Sequence, residues 1–492
     1  MYLCVCQYTQ DIGILKERTA CCATLYKVKS CQSYIRSTIN SMDIFYALKP
    51  LYFLSKFVGL ISFSLHFDSR TGKHIIQSTG VLNFVQNVYT FVIFCGITAG
   101  FVMCVRHVHT KLSTNPAQVV RDMFSAPANF ITSMTCIVMM TVINRKEMIK
   151  LVTKLRTIDD ILLEGKGFKI YLKTRRRMLT ELVVIFGVLV PFLCYDSYFF
   201  GQLSSSAYEA MSRVSIAVNL TTVLQFLWTM RFFRHRLWLL NQKVLDSFCL
   251  QSDSLRKHTY ASCSDRWRRF FQQPFTGLEE GLCSNKICSV FREGNIRKLS
   301  VLPISDIKQN DLRTLQQQST SSDTVSCILN LRVTYNHIYE GTLIANSIYG
   351  ISIIFTLMYC FVSTVSHTYF TFIDNFTNFD ELEKKMPNVG YYIATHIIWI
   401  VISVGKTVAI SGSCHMVKEE SKILVNNLQK LQLRHPIRPD VLLHLQQFST
   451  QVSQNTIHFS AFGFFSVNLS LLYAFIASSV TYVIILIQFR LN

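Results

Sequence analysis

Seven stretches of the chain are long and apolar enough to cross a bilayer: Val81–Val105, Phe124–Asn144, Leu182–Phe200, Met211–Phe233, Gly341–Ile373, Gly390–Ser411 and His458–Phe489. A span needs about 20 mostly apolar residues, because an α-helix rises about 1.5 Å per residue against a hydrocarbon layer about 30 Å thick. The fifth and seventh stretches exceed that length, which predicts tilt or extension beyond the membrane. An eighth run, Phe45–Phe67, is interrupted by Lys49, Pro50 and Lys56, and its clean remainder, Phe57–Phe67, is too short to span. It reads as an interfacial or re-entrant helix ahead of the first span.

The connections carry their own pattern. Glu147–Arg177 reads as a charged helical hairpin in the cytosol. Trp238–Val244 and Leu329–Tyr339 look like continuations of spans four and five below the membrane. Within Met416–Thr456, Ile423, Leu424, Leu428 and Leu431 recur at helical spacing, which predicts a cytosolic helix packed on its neighbours. The tract Gln316–Asp323 is polar and of low complexity, so much of the connection 234–340 is expected to lack structure. The organisation predicted is an N-terminal region 1–80 with an interfacial helix at 45–67, spans one to four in 81–233, the long connection 234–340, and spans five to seven in 341–489. There is no internal repeat.

Charge then orients the spans. The N-terminal region and the connections after spans two, four and six hold 41 Lys and Arg residues, against 7 on the other side. Without the long fourth connection the ratio is still 25 to 7. Basic residues stay cytoplasmic, so the N-terminus is predicted inside and the C-terminus outside. Only 16% of residues are charged and the mean hydropathy is +0.29, where a soluble domain would carry about 25% charged residues. The fold class predicted is therefore an all-α membrane protein with seven transmembrane helices. The net charge of +20 is accounted for by cytoplasmic segments facing an anionic leaflet, and no groove-reading element points to nucleic acid.

Smaller signals agree. Met1–Cys6 lacks the basic start of a signal peptide, so insertion is expected to rely on the internal spans. None of the 16 cysteines falls squarely in a predicted outer loop, and Cys21-Cys22 reads as a reduced pair or a palmitoylation site. Asn375-Phe376-Thr377 is a glycosylation sequon in the predicted outer loop between spans five and six. Two further sequons, at Asn219 and Asn468, are assigned to spans and so to sites that cannot be glycosylated.

Catalytic chemistry is missing from the pattern. There is no phosphate-binding glycine loop, no His-Glu-x-x-His and no nucleophile elbow, and Cys283 and Cys288 lack partners at zinc-ligand spacing. The chain reads as a non-enzyme that needs no cofactor or metal. The informative passage is at its end. Tyr482 and Gln488 bracket five aliphatic residues in the last span. A glutamine amide is costly in hydrocarbon, so Gln488 is expected to face protein or water.

The passage Thr481–Phe489, with its Thr-Tyr pair, five apolar residues and Gln-Phe, resembles the C-terminal signature of insect gustatory receptors. Phe448–Leu471 resembles the family's approach to its last helix, Ala47–Lys56 its opening, and Asn346–Gly350 a passage early in span five. The resemblance covers roughly residues 42–489. Residues 1–41 extend beyond the usual start, as a gene-model extension or an isoform-specific tail. Val483 stands where sugar-receptor members often carry Glu, which points to the bitter-type or broadly tuned branches.

The resemblance implies a ligand-gated, non-selective cation channel in the plasma membrane of sensory neurons. It implies a tetramer around a central pore, as a homotetramer or a heteromer with related receptors, with a small-molecule tastant and the lipid bilayer as partners. Gln488, Phe489 and Ile485 would then form the pore and gate, while Thr481 and Tyr482 pack against neighbouring helices. The alternative for Gln488 is a hydrogen bond within the bundle. The ligand would sit among the outer halves of spans two to six, where Tyr195, Asp196, Tyr198, His367, Tyr391, Tyr392, His396 and Trp399 are the candidates. Tyr and Trp also form interfacial belts, Asp196 is near enough to the span's outer end to be solvated, and Lys406 is placed to snorkel toward the cytoplasm. Two other classes remain in view. A G-protein-coupled receptor needs the N-terminus outside, and a secondary transporter would typically show inverted repeats.

Overall fold

The computed structural model describes residues 44–68, 73–77, 80–111, 116–163, 167–200, 206–248, 309–376, 389–433 and 438–491. In chain order they form α1 (Ile44–Phe57), the antiparallel pair β1 (Ser64–Asp68) and β2 (Lys73–Gln77), α2 (Val81–Lys111) and α3 (Pro116–Val138). A π-helical turn (Met139–Ile143) leads to α4 (Arg145–Leu163), α5 (Phe168–Phe200) and α6 (Ser206–Ser247). Then come α7 (Gln309–Phe376), α8 (Val389–Gln432), α9 (Pro439–Gln454), the short pair β3 (Ser460–Ala461) and β4 (Phe465–Ser466), and α10 (Leu469–Leu491). Seven helices, α2, α3, α5, α6, α7, α8 and α10, are long and apolar enough to cross a membrane.

Four local expectations are corrected. The run 45–67 is not one helix. α1 stops at Phe57, where Gly59 adopts φ +79°. The Leu60 N–H donates to the Ser55 carbonyl (2.8 Å) and the Gly59 N–H to that of Lys56 (3.2 Å), a pattern that caps a helix and that a glycine in the left-handed region permits. The next residues turn into β1. The seventh span is likewise shorter than expected: residues 460–466 are the β3–β4 hairpin, and α10 begins only at Leu469. Asn468, assigned to a span, instead caps that helix, its Oδ1 accepting from the N–H groups of Ser470 (2.9 Å) and Leu471 (3.3 Å). Finally, Gln316–Asp323, read as structureless, lies within α7. Glutamine is a good helix former, and composition alone hid that. Residues 249–308 lie outside the described set.

The chain divides into two compact units. The first comprises the described residues up to Arg236, Asn336–Lys418 and Ile457 onward. Its helices bury polar as well as apolar side chains. Several hydroxyls within the spans bond their own helix: Thr132 donates to the Ala128 carbonyl (2.7 Å), Thr356 to Ser352 (2.7 Å) and Thr364 to Cys360 (2.8 Å). Two carboxylates of this unit, Asp159 and Glu181, are matched by arginines. The Arg236 guanidinium bonds both carboxylate oxygens of Asp159 (2.8 and 2.7 Å), and Tyr171 donates to the same carboxylate (2.9 Å). Glu181 pairs with Arg177 (3.0 Å) and Arg231. The β3–β4 hairpin is fastened to α7: the Ser460 N–H donates to Asn346 Oδ1 (3.0 Å). A Cβ at Gly350 would stand 3.1 Å from the Phe462 nitrogen, so a larger residue would push the hairpin away from α7 by a few tenths of an ångström.

The second unit comprises Leu237–Tyr335 and Glu419–Thr456, as far as they are described. Leu240, Val244, Leu331, Leu424, Leu428, Leu445 and Val452 are buried in it. Leu424, Leu428 and Leu431 are the buried stripe that helical spacing marked, and Ile423 flanks it half-buried. Tyr335 donates to the Asn455 carbonyl (2.8 Å), and Arg332 reaches Gln447 (2.8 Å) and Gln451 (3.2 Å).

A polar seam and an outward-facing last helix

α7 and α8 meet along faces that carry three of the eight predicted ligand residues, His367, His396 and Trp399. On α8, His396, Trp399, Ser403, Lys406 and Thr407 follow at intervals of one, three or four, share one helical face and are all buried. On α7, Tyr359, Cys360, Ser363, His367 and Phe370 do the same. The pairs run antiparallel. Phe370 lies against His396 (ring centroids 6.2 Å apart), and the Nδ1 atoms of His367 and His396 are 2.8 Å apart. One of those nitrogens must donate and the other accept, so they share a single proton. His367 stacks on Trp399 (6.1 Å, 8°). Deeper in the seam Ser403 donates to the Ser363 hydroxyl (3.0 Å), and the Lys406 ammonium lies 5.4 Å from the centre of the Tyr359 ring.

The structure thus brings His367, His396 and Trp399 together. α5 joins them through Phe192, whose ring lies edge-on to Trp399 at 5.4 Å. Phe192 was missed by sequence reasoning, although it stands one turn before Asp196, which was singled out. Asp196 itself is buried at 6% exposure rather than solvated. Arg213 pairs with it (2.6 Å) and also bonds Glu209 and Ser197 (3.0 Å each), so the charge is neutralised inside the protein. The Glu209–Arg213 spacing of four was a legible sign of that partner. Lys406 does not snorkel: it is buried, and its ammonium lies over the face of the Tyr359 ring on α7. Tyr195 is exposed, away from this seam's buried face. The side chains of Tyr198, Tyr391, Tyr392 and Asn375 lie outside the described set; the Asn375 backbone is in the last turn of α7.

α10 presents two opposite faces. Phe475, Ser479 and Val483 are buried, and Leu486 and Ile487 pack half-buried against Tyr369 and Phe370. The Phe361 ring meets Phe475 (5.9 Å) and Tyr482 (5.6 Å) edge to face. On the other side Thr481, Ile485, Gln488 and Phe489 follow at intervals of four, three and one, which puts them on one exposed face. Thr481 donates to its own helix, at the Ala477 carbonyl (3.0 Å). Gln488 makes no hydrogen bond among the described residues. Tyr482 is 54% exposed at the border of the two faces.

With this arrangement in view, the comparison with known proteins is decisive. The profile of the 7tm Chemosensory receptor family matches residues 48–273 and 301–492. The chain belongs to the 7tm chemosensory receptor family. Gustatory receptor 28b of Drosophila melanogaster is 22% identical to this receptor over 469 residues, 93% of this chain and 88% of that one. Gustatory receptor 2a of the same fly is 26% identical over 196 residues, 36% of this chain and 44% of that one. The fly's gustatory receptor for sugar taste 43a is 28% identical over 148 residues, 30% and 32% of the two chains. The receptor therefore matches less than half the length of these last two relatives. Its fold resembles that of the insect olfactory receptor OR5 from Machilis hrabei, solved in complex with eugenol. The TM-score is 0.55 at 14% identity, over 90% of this chain and 97% of that one. A family of chemosensory receptors is not one of enzymes, and the receptor is a multi-pass membrane protein.

Proposed function

We propose that the receptor is a tastant-gated, non-selective cation channel of the sensory-neuron plasma membrane. Four copies, of this chain alone or with related receptors, surround a pore lined by α10, with the N-terminus cytoplasmic, the C-terminus extracellular and Asn375 open to glycosylation. The observation that carries this reading is the exposed face of α10. Thr481, Ile485, Gln488 and Phe489 are aligned on a side left exposed among the described residues. A polar amide facing hydrocarbon is costly, while a ring of four around an aqueous path is not. Ile485 beside that ring suits a constriction that closes by dewetting.

A small organic ligand at the α7–α8 seam acts on the pore by binding its open arrangement more tightly than its closed one. The physical route is short. Tyr359 and Cys360 of the seam form one core cluster with Phe475 of α10, and Phe370 forms another with Leu486 and Ile487. The reading favours bitter-type or broad tuning. Val483 is buried, where the acidic residue of many sugar receptors would face apolar neighbours.

Whole-cell recording from cells expressing this chain alone, challenged with sugars, alkaloids and amino acids, tests the proposal. A nucleotide-independent cation current is expected, and Gln488→Ala is expected to alter its permeation or raise its leak. Unchanged conductance and gating in that variant at normal surface level would remove Gln488 from the pore.

A further inference from the structure

Among the described residues of the membrane-spanning unit, the buried charges are in ion pairs with one exception. Asp159 meets Arg236, and Asp196 meets Arg213. Lys406, 9% exposed, has the Tyr359 ring and the neighbouring Cys360 thiol, a weak acceptor. Among the described residues no carboxylate pairs with its ammonium and no side-chain oxygen accepts from it. A π face and a thiol offset only part of what an ammonium loses on leaving water. The ammonium therefore retains unmet demand for an acceptor at a depth where water is scarce.

Its surroundings say what kind of acceptor would fit. Lys406 shares its face of α8 with His396, Trp399 and Ser403, and opposite stand Ser363 and His367 of α7. The seam is thus cationic at one end, hydroxyl-lined in the middle and aromatic at the other. We propose that Lys406 is the anchor of an anion-accepting end of the ligand site, and that the receptor takes small organic carboxylates. The carboxylate oxygens accept from the Lys406 ammonium, and the short apolar or aromatic body lies toward Trp399 and His367. This rests on the reading of the seam as the ligand site. It adds the charge class of the ligand, which the aromatic residues alone do not specify.

The test is a thermal-shift titration of the full-length receptor purified in detergent, at fixed ionic strength. The probes are acetate, lactate, benzoate and phenylacetate, each against its neutral amide. At least one carboxylate is expected to raise Tm at concentrations about tenfold or more below its amide, since a hydrogen bond to a charged group contributes about 1.5–3 kcal/mol. Lys406→Arg is expected to keep that preference and Lys406→Met to abolish it. If Lys406→Met fails to fold, the acid–amide comparison on the wild type and on Lys406→Arg still decides. Equal shifts by acid and amide, no shift by any carboxylate, or a shift by chloride alone that carboxylates do not increase, overturns the proposal. Because the readout is binding, an absence of ligand-evoked current would count against the channel reading without deciding this one.

Discussion

Two spans of this receptor are almost uncovered by the rest of the chain, and they are uncovered in different ways. Among the described residues, few side chains of either α5 or α10 are buried along the span, and both helices are strongly apolar. By those measures they are the same helix. Their exposed residues are not. α5 shows Val183, Val184, Val188 and Val190, side chains that lipid solvates as well as protein does. α10 shows Tyr473, Thr481, Tyr482, Gln488 and Phe489. Hydropathy reports that a helix belongs in the membrane; the chemistry of its exposed face reports whether lipid, protein or water is meant to meet it.

The most damaging way to probe the difference is to place the same charge on both faces. Val188 is 70% exposed midway along the α5 span. An arginine at a helix centre costs about 2.5–3.5 kcal/mol on insertion scales. Val188→Arg is expected to remove most receptor from the cell surface, measured by surface biotinylation. Gln488→Arg is expected to reach the surface at near wild-type level and to suppress cation current. If Val188→Arg reached the surface normally, the α5 face would not be lipid-exposed and the contrast would collapse.

Much of this contrast was legible in the sequence and part was not. All seven spans were readable, because each needs a long apolar run and almost nothing else imitates one. The α10 face was read only in part: Ile485, Gln488 and Phe489 were singled out together, while Thr481, assigned to packing between helices, stands on the same exposed face. The errors came where a local backbone device overrides composition. Gly59 ends α1 inside an apolar run, and Asn468 starts α10 after a hairpin whose residues are themselves apolar. Partners across helices were the least legible. Nothing near Lys406 in the sequence announces Tyr359, and nothing near Trp399 announces Phe192, because such pairings are fixed by how helices dock. His367, His396 and Trp399 were identified singly for their residue types, and their assembly into one seam is tertiary information.

A gentler probe separates how firmly each uncovered span is attached. Phe361 meets α10 through two aromatic contacts, with Phe475 and Tyr482, whereas Phe192 of α5 meets Trp399 through one. Each such pair contributes about 0.5–1.5 kcal/mol beyond the area it buries. Phe361→Ala is expected to cost about 1–3 kcal/mol from its two pairs, and Phe192→Ala about half of that. Tm of the purified receptor, with surface level as a control, ranks the two. A larger loss from Phe192→Ala would mean that α5, not α10, is the more tightly held.

The smallest effect is the most discriminating. α5 and α10 each carry an exposed threonine whose hydroxyl bonds its own helix: Thr180 to the Arg176 carbonyl (3.0 Å) and Thr481 to the Ala477 carbonyl (3.0 Å). Those carbonyls already serve the helix, so replacing either threonine with the near-isosteric valine should change stability by less than about 0.5 kcal/mol. Stability therefore cannot distinguish the two sites, and any functional difference must come from what the hydroxyl faces. If α10 lines an aqueous path, Thr481→Val replaces a hydroxyl with a methyl on that path in every subunit. Unitary conductance or open time in single-channel recordings should then change at unchanged Tm. Thr180→Val, on the lipid-facing helix, should leave both untouched. Identical recordings from the two variants would take Thr481 off the conduction wall and leave it, with Tyr482, as part of the packing between helices.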